Sequence, residues 1–111
     1  FIQIVERIEM DIISGKYKPG DKLPSVRDLA AEAAVNPNTM QKAFTELERT
    51  GLVFSQRTTG RFITEDTSMI DELKSTLAKD KITELLSFMQ QLGFQENEIL
   101  AMIGQTMKGE K

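Results

Sequence analysis

Two amides, a hydroxyl and a lysine lie close together near the middle of the chain, at Asn38, Gln41, Thr39 and Lys42. An amide can form paired hydrogen bonds with adenine, a threonine methyl can contact thymine, and a lysine suits guanine or phosphate. If these residues occupy the first turns of a helix, its backbone N–H groups and dipole also favour a nearby phosphate. Their types and spacing therefore predict a surface that reads the major groove of double-stranded DNA.

Signals at both ends delimit the helix that must carry these residues, within Val35–Gly51. Asn36 is placed to cap its start, Pro37 suits the first helical position, and Gly51 suits the left-handed residue after the last turn. Apolar residues recur between them at helical spacing, so one face is expected to be buried. These apolar residues are Met40, Ala43, Phe44 and Leu47. The pattern predicts a recognition helix that packs by one face and presents its polar first turns.

Two earlier helices are predicted to support it. The first covers residues 2–14, with an apolar stripe that includes Ile8 and Ile12, and it ends at Gly15. The second follows Ser25, which is placed to act as its N-cap, and its alanines allow a neighbouring helix to approach closely. Only three or four residues separate it from the recognition helix, which is typical of a helix-turn-helix.

Two short β runs follow the recognition helix, at residues 52–56 and 61–64, and the turn 57–60 joins them. A hairpin in this position predicts a winged helix, and Gly60 would let its backbone approach the minor groove closely. The predicted contacts of the wing are Arg57, Thr59, Gly60 and Arg61. We assign residues 1–64 to a winged helix-turn-helix DNA-binding domain.

Residues 65–111 form a different kind of segment. Apolar residues at helical spacing predict a long helix over residues 66–92, a corner at Gly93 and Phe94, and a second, shorter helix. Two helices with wide apolar faces need a partner surface, and a second copy of the chain is the simplest supplier. The predicted dimerisation residues are Ile70, Leu73, Leu77, Ile82, Leu85, Met89 and Leu92. The predicted fold is therefore mainly α with a small β-hairpin (α+β), a winged helix followed by a helical hairpin for dimerisation.

Composition limits the function further. The 111 residues carry a net charge of −3, but residues 1–64 have nine basic against eight acidic side chains, and residues 65–111 have five against nine. Cysteine and histidine are absent, which excludes zinc sites of the Cys/His type and the usual catalytic triads. We therefore expect no enzyme, cofactor or metal. Because a chain without cysteine forms no disulfides, we expect a cytoplasmic protein. No run approaches the roughly 20 apolar residues of a membrane span, so we also expect no membrane partner.

The pattern Gly-x-x-x-Pro-Gly-Asp-x-Leu-Pro-Ser-x-Arg-x-Leu-Ala, from Gly15 to Ala30, resembles the N-terminal domain of GntR-family transcription regulators. The short C-terminal part and the run Asn36 to Thr39 are similar to the YtrA-like subfamily. The resemblance implies a homodimer that binds an inverted-repeat operator and represses transcription, with transporter operons among the regulated genes. It also implies that Arg27 contacts DNA.

Several assignments have an alternative. Asn36 suits a structural cap better than a base contact, and Ser25 suits a cap first and a phosphate contact second. Arg27 could pair with an acid within the domain. The lysines at positions 16, 18 and 22 are typical surface lysines that could also reach phosphate. The alternative function is a winged-helix adaptor that binds proteins without sequence-specific DNA binding.

A repressor also needs a signal that releases it. We hypothesise a small apolar or amphipathic effector at the corner of the helical hairpin, near Phe88, Met89, Phe94 and Met102.

Overall fold

The computed structural model describes residues 1–109, and over this range the chain forms five helices and one antiparallel β-hairpin. The elements are α1 Ile2–Ile13, α2 Val26–Ala33, α3 Pro37–Thr50, β1 Val53–Gln56, β2 Gly60–Ile63, α4 Thr67–Gln91 and α5 Glu96–Met107. The mainly α winged-helix architecture expected from the sequence is confirmed. None of the described helices is long and apolar enough to cross a membrane.

The recognition helix α3 forms the centre of the N-terminal core. Met40, Phe44 and Leu47 on its apolar face are almost wholly buried, together with Val53 and Ile63 of the hairpin. Helices α1 and α2 both pack against α3, and α3 also packs against β1. The periodicity of the sequence predicted this face correctly, because helical spacing alone places these side chains on one side.

Local hydrogen bonds fix both ends of the two helices of the helix-turn-helix. The Ser25 hydroxyl accepts the backbone N–H of Asp28 at 3.1 Å, and the Asn36 side-chain oxygen accepts that of Asn38 at 2.7 Å. Helix α3 ends at Gly51, whose φ of +89° is left-handed. Ala34 is also left-handed, with a φ of +56°, and it turns the chain between α2 and α3. The short turn expected between these helices is therefore confirmed.

The hairpin has a third, shorter neighbour that the sequence did not predict. Residues 20–23 run beside β2: the Ile63 N–H donates to the Asp21 carbonyl at 2.8 Å, and the Leu23 N–H donates to the Arg61 carbonyl at 2.8 Å. Within the hairpin, Ser55 pairs with Arg61 and Phe54 with Phe62. The segment before α2 is thereby attached to the wing that follows α3.

The chain divides into two compact units, Phe1–Lys74 and Ser75–Lys111. The first turns of α4 belong to the first unit, because Met69, Ile70 and Leu73 pack against its core. The division at residue 64 that we expected remains a prediction about which residues bind DNA and which pair two chains.

Asp66 caps the start of α4, since its carboxylate accepts the backbone N–H groups of Ser68 and Met69 at 3.1 and 3.3 Å. The helix has 25 residues and is roughly 38 Å long at 1.5 Å per residue.

The second unit contains the remainder of α4, a corner at Gly93, and α5. Gln95 and Glu98 form a capping box at the start of α5, in which the Gln95 N–H donates to the Glu98 carboxylate at 2.9 Å. Met89 of α4 and Ile99 of α5 are the buried apolar residues of this second unit. Residues 110 and 111, which we included in the dimerisation region, lie outside the described residues.

Candidate nucleic-acid interface

The first turns of α3 present the polar residues that the sequence singled out. Asn38, Gln41 and Lys42 are exposed, whereas Thr39 is half-buried. Met40, between them, is buried in the core and anchors the same turns of the helix. Two amides and one ammonium group are therefore held on a packed element with their polar atoms in solvent.

Asn36 and Ser25 are structural caps in this fold. The Asn36 side-chain oxygen is occupied by the Asn38 N–H, which leaves its amide nitrogen for any external contact. The Ser25 hydroxyl is occupied in the same way by Asp28. The preference for caps at both positions is confirmed, and contacts of these two residues with DNA remain predictions.

Arg27 lies in the first turn of α2 and is exposed. Within residues 1–109 it has no carboxylate at ion-pair distance, so the alternative that it pairs with an acid has no support. An unpaired guanidinium beside a helix N-terminus can bind phosphate through two parallel hydrogen bonds.

The tip of the wing is ordered by its own hydrogen bonds. The Thr59 hydroxyl donates to the Gln56 side-chain oxygen at 3.2 Å, and the Thr59 N–H donates to the Gln56 carbonyl at 3.1 Å. Gly60 follows with a φ of +115°, a conformation that favours glycine. Arg57 is exposed at this tip. These residues project as one short turn of the kind that can enter a minor groove.

Arg61 differs from the other predicted contacts because the fold already uses its charge. Its Nε donates to Glu48 Oε1, and the two side chains are only 27% and 32% exposed. Its guanidinium carbon lies 5.1 Å from the centre of the Phe44 ring, a cation–π arrangement. The Ser55 hydroxyl donates to the same Glu48 oxygen at 3.1 Å. Glu48 therefore links α3 to both strands of the wing.

Glu48 is not among the residues that the sequence predicts for this interface. One signal was present, because a carboxylate in the last turn of a helix opposes the helix dipole and needs a compensating cation. The place of Glu48 in the sequence does not show that the compensating cation is Arg61, which lies 13 residues later. A contact of Arg61 with DNA remains a prediction.

An open groove connects the start of α2 to the wing tip. Its polar lining includes Lys22, Ser25, Arg27, Asp28, Thr59 and Arg61. The fold thus brings together residues far apart in sequence, from the loop before α2, from α2 itself and from the hairpin. Asp28 supplies the carboxylate of this lining, against the three cationic side chains of Lys22, Arg27 and Arg61.

The predicted dimerisation residues differ in how much of each side chain is exposed in one chain. Ile70 and Leu73 pack on the core of the first unit, and Met89 is buried. Leu77 is half-buried. Ile82, Leu85 and Leu92 are exposed by 55%, 44% and 59%, so these three are free to contact a second chain.

The corner residues proposed for an effector are also unequal in exposure. Met89 is buried, Phe94 is half-buried, and Phe88 and Met102 are exposed. Effector binding there remains a prediction. The described residues contain no group of three or more His, Cys, Asp or Glu side chains that could hold a metal ion.

Comparison with known proteins identifies related chains. The family model for bacterial regulatory proteins of the gntR family matches residues 2–63. The uncharacterized HTH-type transcriptional regulator YhcF of Bacillus subtilis (strain 168) is 39% identical over 100 residues, which cover 90% of this chain and 83% of that protein. The HTH-type transcriptional repressor YtrA of the same organism is 41% identical over 90 residues, covering 81% of this chain and 65% of that protein.

A solved structure agrees over nearly the whole length. A GntR family transcriptional regulator from Listeria monocytogenes superposes with a TM-score of 0.85 at 41% identity, covering 93% of this chain and 90% of that one. The similarity to YtrA confirms the subfamily resemblance seen in the sequence.

Proposed function

This chain belongs to the GntR family of bacterial regulatory proteins, and we propose that it is a homodimeric repressor that binds an inverted-repeat operator. The family and the relatives make it a DNA-binding regulator of transcription and not an enzyme. Repression is supported by the similar chain YtrA, which is named a repressor. From the subfamily resemblance the proposal includes an operator next to a transporter operon and action in the cytoplasm.

One observation carries the proposal: Asn38, Gln41 and Lys42 are exposed on a helix whose opposite face is fixed in the core. A rigid helix presents its side chains at the same depth in every encounter, so little conformational entropy is lost on binding. In the proposed complex α3 lies in the major groove. The two amides read base edges there, and Lys42 binds phosphate or guanine.

Contacts outside α3 position the domain on the duplex. Arg27 and the Ser25 end of α2 face the backbone of one strand, and the wing tip with Arg57, Thr59 and Gly60 enters the neighbouring minor groove. Backbone contacts of this type fix register but carry little sequence information. The proposed specificity therefore resides in α3.

Two chains are proposed to pair through the second unit. Ile82 and Leu85 on α4 and Leu92 directly after it are exposed apolar side chains, and a surface of this kind in a folded unit favours a protein partner. A pair related by a two-fold axis presents two copies of α3 in opposite orientations, which is why the operator is expected to be an inverted repeat. The proposed effector would act on the same unit and would alter how the two chains pair.

Fluorescence anisotropy with two labelled duplexes tests the function. One duplex carries the DNA upstream of the protein's own gene, and the other carries the same bases in scrambled order. We expect tighter binding to the first by on the order of a thousandfold or more. Equal binding to both duplexes would contradict sequence-specific regulation and favour the adaptor alternative.

A pair of lysine variants places the contact on α3. Lys42→Ala should weaken binding, with a shallower salt dependence if the ammonium contacts phosphate. Lys79→Ala removes the same charge from an exposed position on α4 and serves as the matched control. Identical losses in both variants would mean that overall charge, not the first turns of α3, is responsible.

A further inference from the structure

The structure distinguishes Lys16 from Lys22, two of the three lysines that the sequence treats alike. Lys16 Nζ lies 3.8 Å from the Asp11 carboxylate and 3.5 Å from that of Glu32, so its charge is largely compensated. Lys22 has no carboxylate at ion-pair distance in the described part of the chain. It lines the groove between α2 and the wing, so it is free to attract an anion there.

The backbone of Lys22 is fixed against the wing. Lys22 forms a β-bridge with Phe62, and the residues on both sides of it exchange hydrogen bonds with β2 at 2.8 Å. The base of this long side chain therefore cannot move independently of the hairpin. The backbone of Lys22 is therefore already ordered, and only its side-chain rotamers remain to be fixed on binding an anion.

Gly60 provides the space in which the Lys22 side chain lies. A Cβ placed on Gly60 would lie 3.0 Å from Lys22 Cε and 3.8 Å from its Nζ, and the first distance is tighter than nine in ten real contacts of a Cβ atom. The aliphatic part of the Lys22 side chain therefore lies beside the position that the side chain of any other residue at position 60 would occupy. The ammonium group is held beside the turn that is expected to enter the minor groove.

We propose that Lys22 binds a phosphate of the DNA strand that separates the major groove under α3 from the minor groove under the wing. The inference rests on the proposed function. When two neighbouring elements occupy adjacent grooves, the strand between those grooves must pass between the elements. The groove of Lys22, Ser25 and Arg27 opens between the start of α2 and the wing, and Phe44 of α3 also lines it, so it is the groove available to that strand. Lys22 lies on its wing side and Arg27 on its α2 side.

The salt dependence of operator binding tests this contact, because each phosphate neutralised makes the negative slope of log K against log[salt] steeper by about 0.9. The full-length protein and its Lys22→Gln, Lys22→Arg and Lys16→Gln variants are titrated against operator and scrambled duplexes at several salt concentrations. Thermal melting confirms that each variant is folded. Lys16→Gln removes the same charge from a lysine that is already ion-paired.

We expect Lys22→Gln to make the slope shallower by about 1.8, because the proposed dimer loses one contact per chain at about 0.9 each, to weaken both duplexes alike and to leave base preference unchanged. Lys22→Arg should retain the slope, and Lys16→Gln should resemble the wild type. An unchanged slope in Lys22→Gln, or an equal change in Lys16→Gln, overturns the inference while leaving the proposed function intact. If the wild type itself does not discriminate between the duplexes, the proposed function fails and this inference fails with it.

Discussion

The two arginines of the wing differ in how much of their charge the fold leaves available to a ligand. Arg61 and Arg57 are both arginines of the predicted wing, yet Arg61 is paired with Glu48 whereas Arg57 is exposed. Lys16 and Lys22 differ in the same way. The caps at Ser25 and Asn36 could be predicted because a cap depends on residues two or three positions away. The contacts of Arg61 with Glu48 and of Lys22 with the wing could not be predicted, because each joins distant parts of the chain.

Glu9 is a residue at which charge opposes folding. Its carboxylate is half-buried on α1, and burial, followed by the nearby Glu6 and Glu46 carboxylates, raises its pKa. A raised pKa means that the folded state holds the proton more tightly than the unfolded chain does. The stability this group contributes is therefore present at low pH and is lost as the pH rises through the raised pKa.

We therefore expect Glu9→Gln to raise the melting temperature at pH 7, because it removes a carboxylate whose ionised form is disfavoured in the fold. The difference from the wild type should vanish below about pH 4, where the wild-type carboxyl is protonated in both states. Differential scanning calorimetry from pH 3 to pH 8 measures this. Glu72→Gln, at an exposed position on α4, is the control. A destabilised Glu9→Gln variant at pH 7 would contradict the assignment.

At the scale of elements, local signals predicted the helices and the hairpin, and contacts between elements required the structure. Periodicity and caps placed α3 correctly because both are properties of a continuous segment. The attachment of residues 20–23 to β2 depends on hydrogen bonds between residues about 40 positions apart. The brace from Glu48 to Ser55 and Arg61 likewise depends on how the hairpin folds back onto α3.

The brace should stabilise the angle between α3 and the wing. In a double-mutant cycle with Glu48→Gln and Arg61→Gln, urea denaturation should give a coupling energy of about 1–2 kcal/mol, between typical exposed and buried ion pairs. The exposed pair Glu46–Arg49 on the same helix should couple more weakly and serves as the matched control. Additive effects of the two substitutions would mean that Glu48 and Arg61 do not brace the wing.

At the scale of the whole molecule, the second unit carries apolar side chains that one chain leaves exposed. They are Ile82, Leu85 and Phe88 on α4, Leu92 directly after α4, and Leu100 on α5. The sequence pointed to such a surface, but it could not separate these residues from Ile70 and Leu73, which share the same helical spacing. Ile70 and Leu73 instead pack against the core of the first unit.

The wild-type protein should therefore be a dimer in solution, and Leu85→Asp should dissociate it, because a carboxylate in an apolar interface would be desolvated without a partner. Light scattering after size-exclusion chromatography measures the mass. Ser87→Asp introduces the same group at an exposed polar position of α4 and should remain dimeric. A monomeric wild type, or a dimeric Leu85→Asp variant, would contradict pairing through this surface.

Selection of bound duplexes from random DNA, performed with the wild type and with Gln41→Ala, tests the central claim most directly. We predict that the wild type selects an inverted repeat, and that Gln41→Ala relaxes one base pair at the symmetric position of both half-sites, by about 1–3 kcal/mol at each. That result would show two copies of α3 reading DNA in opposite orientations. An enriched motif without two-fold symmetry, or one that is unchanged in Gln41→Ala, would contradict the account.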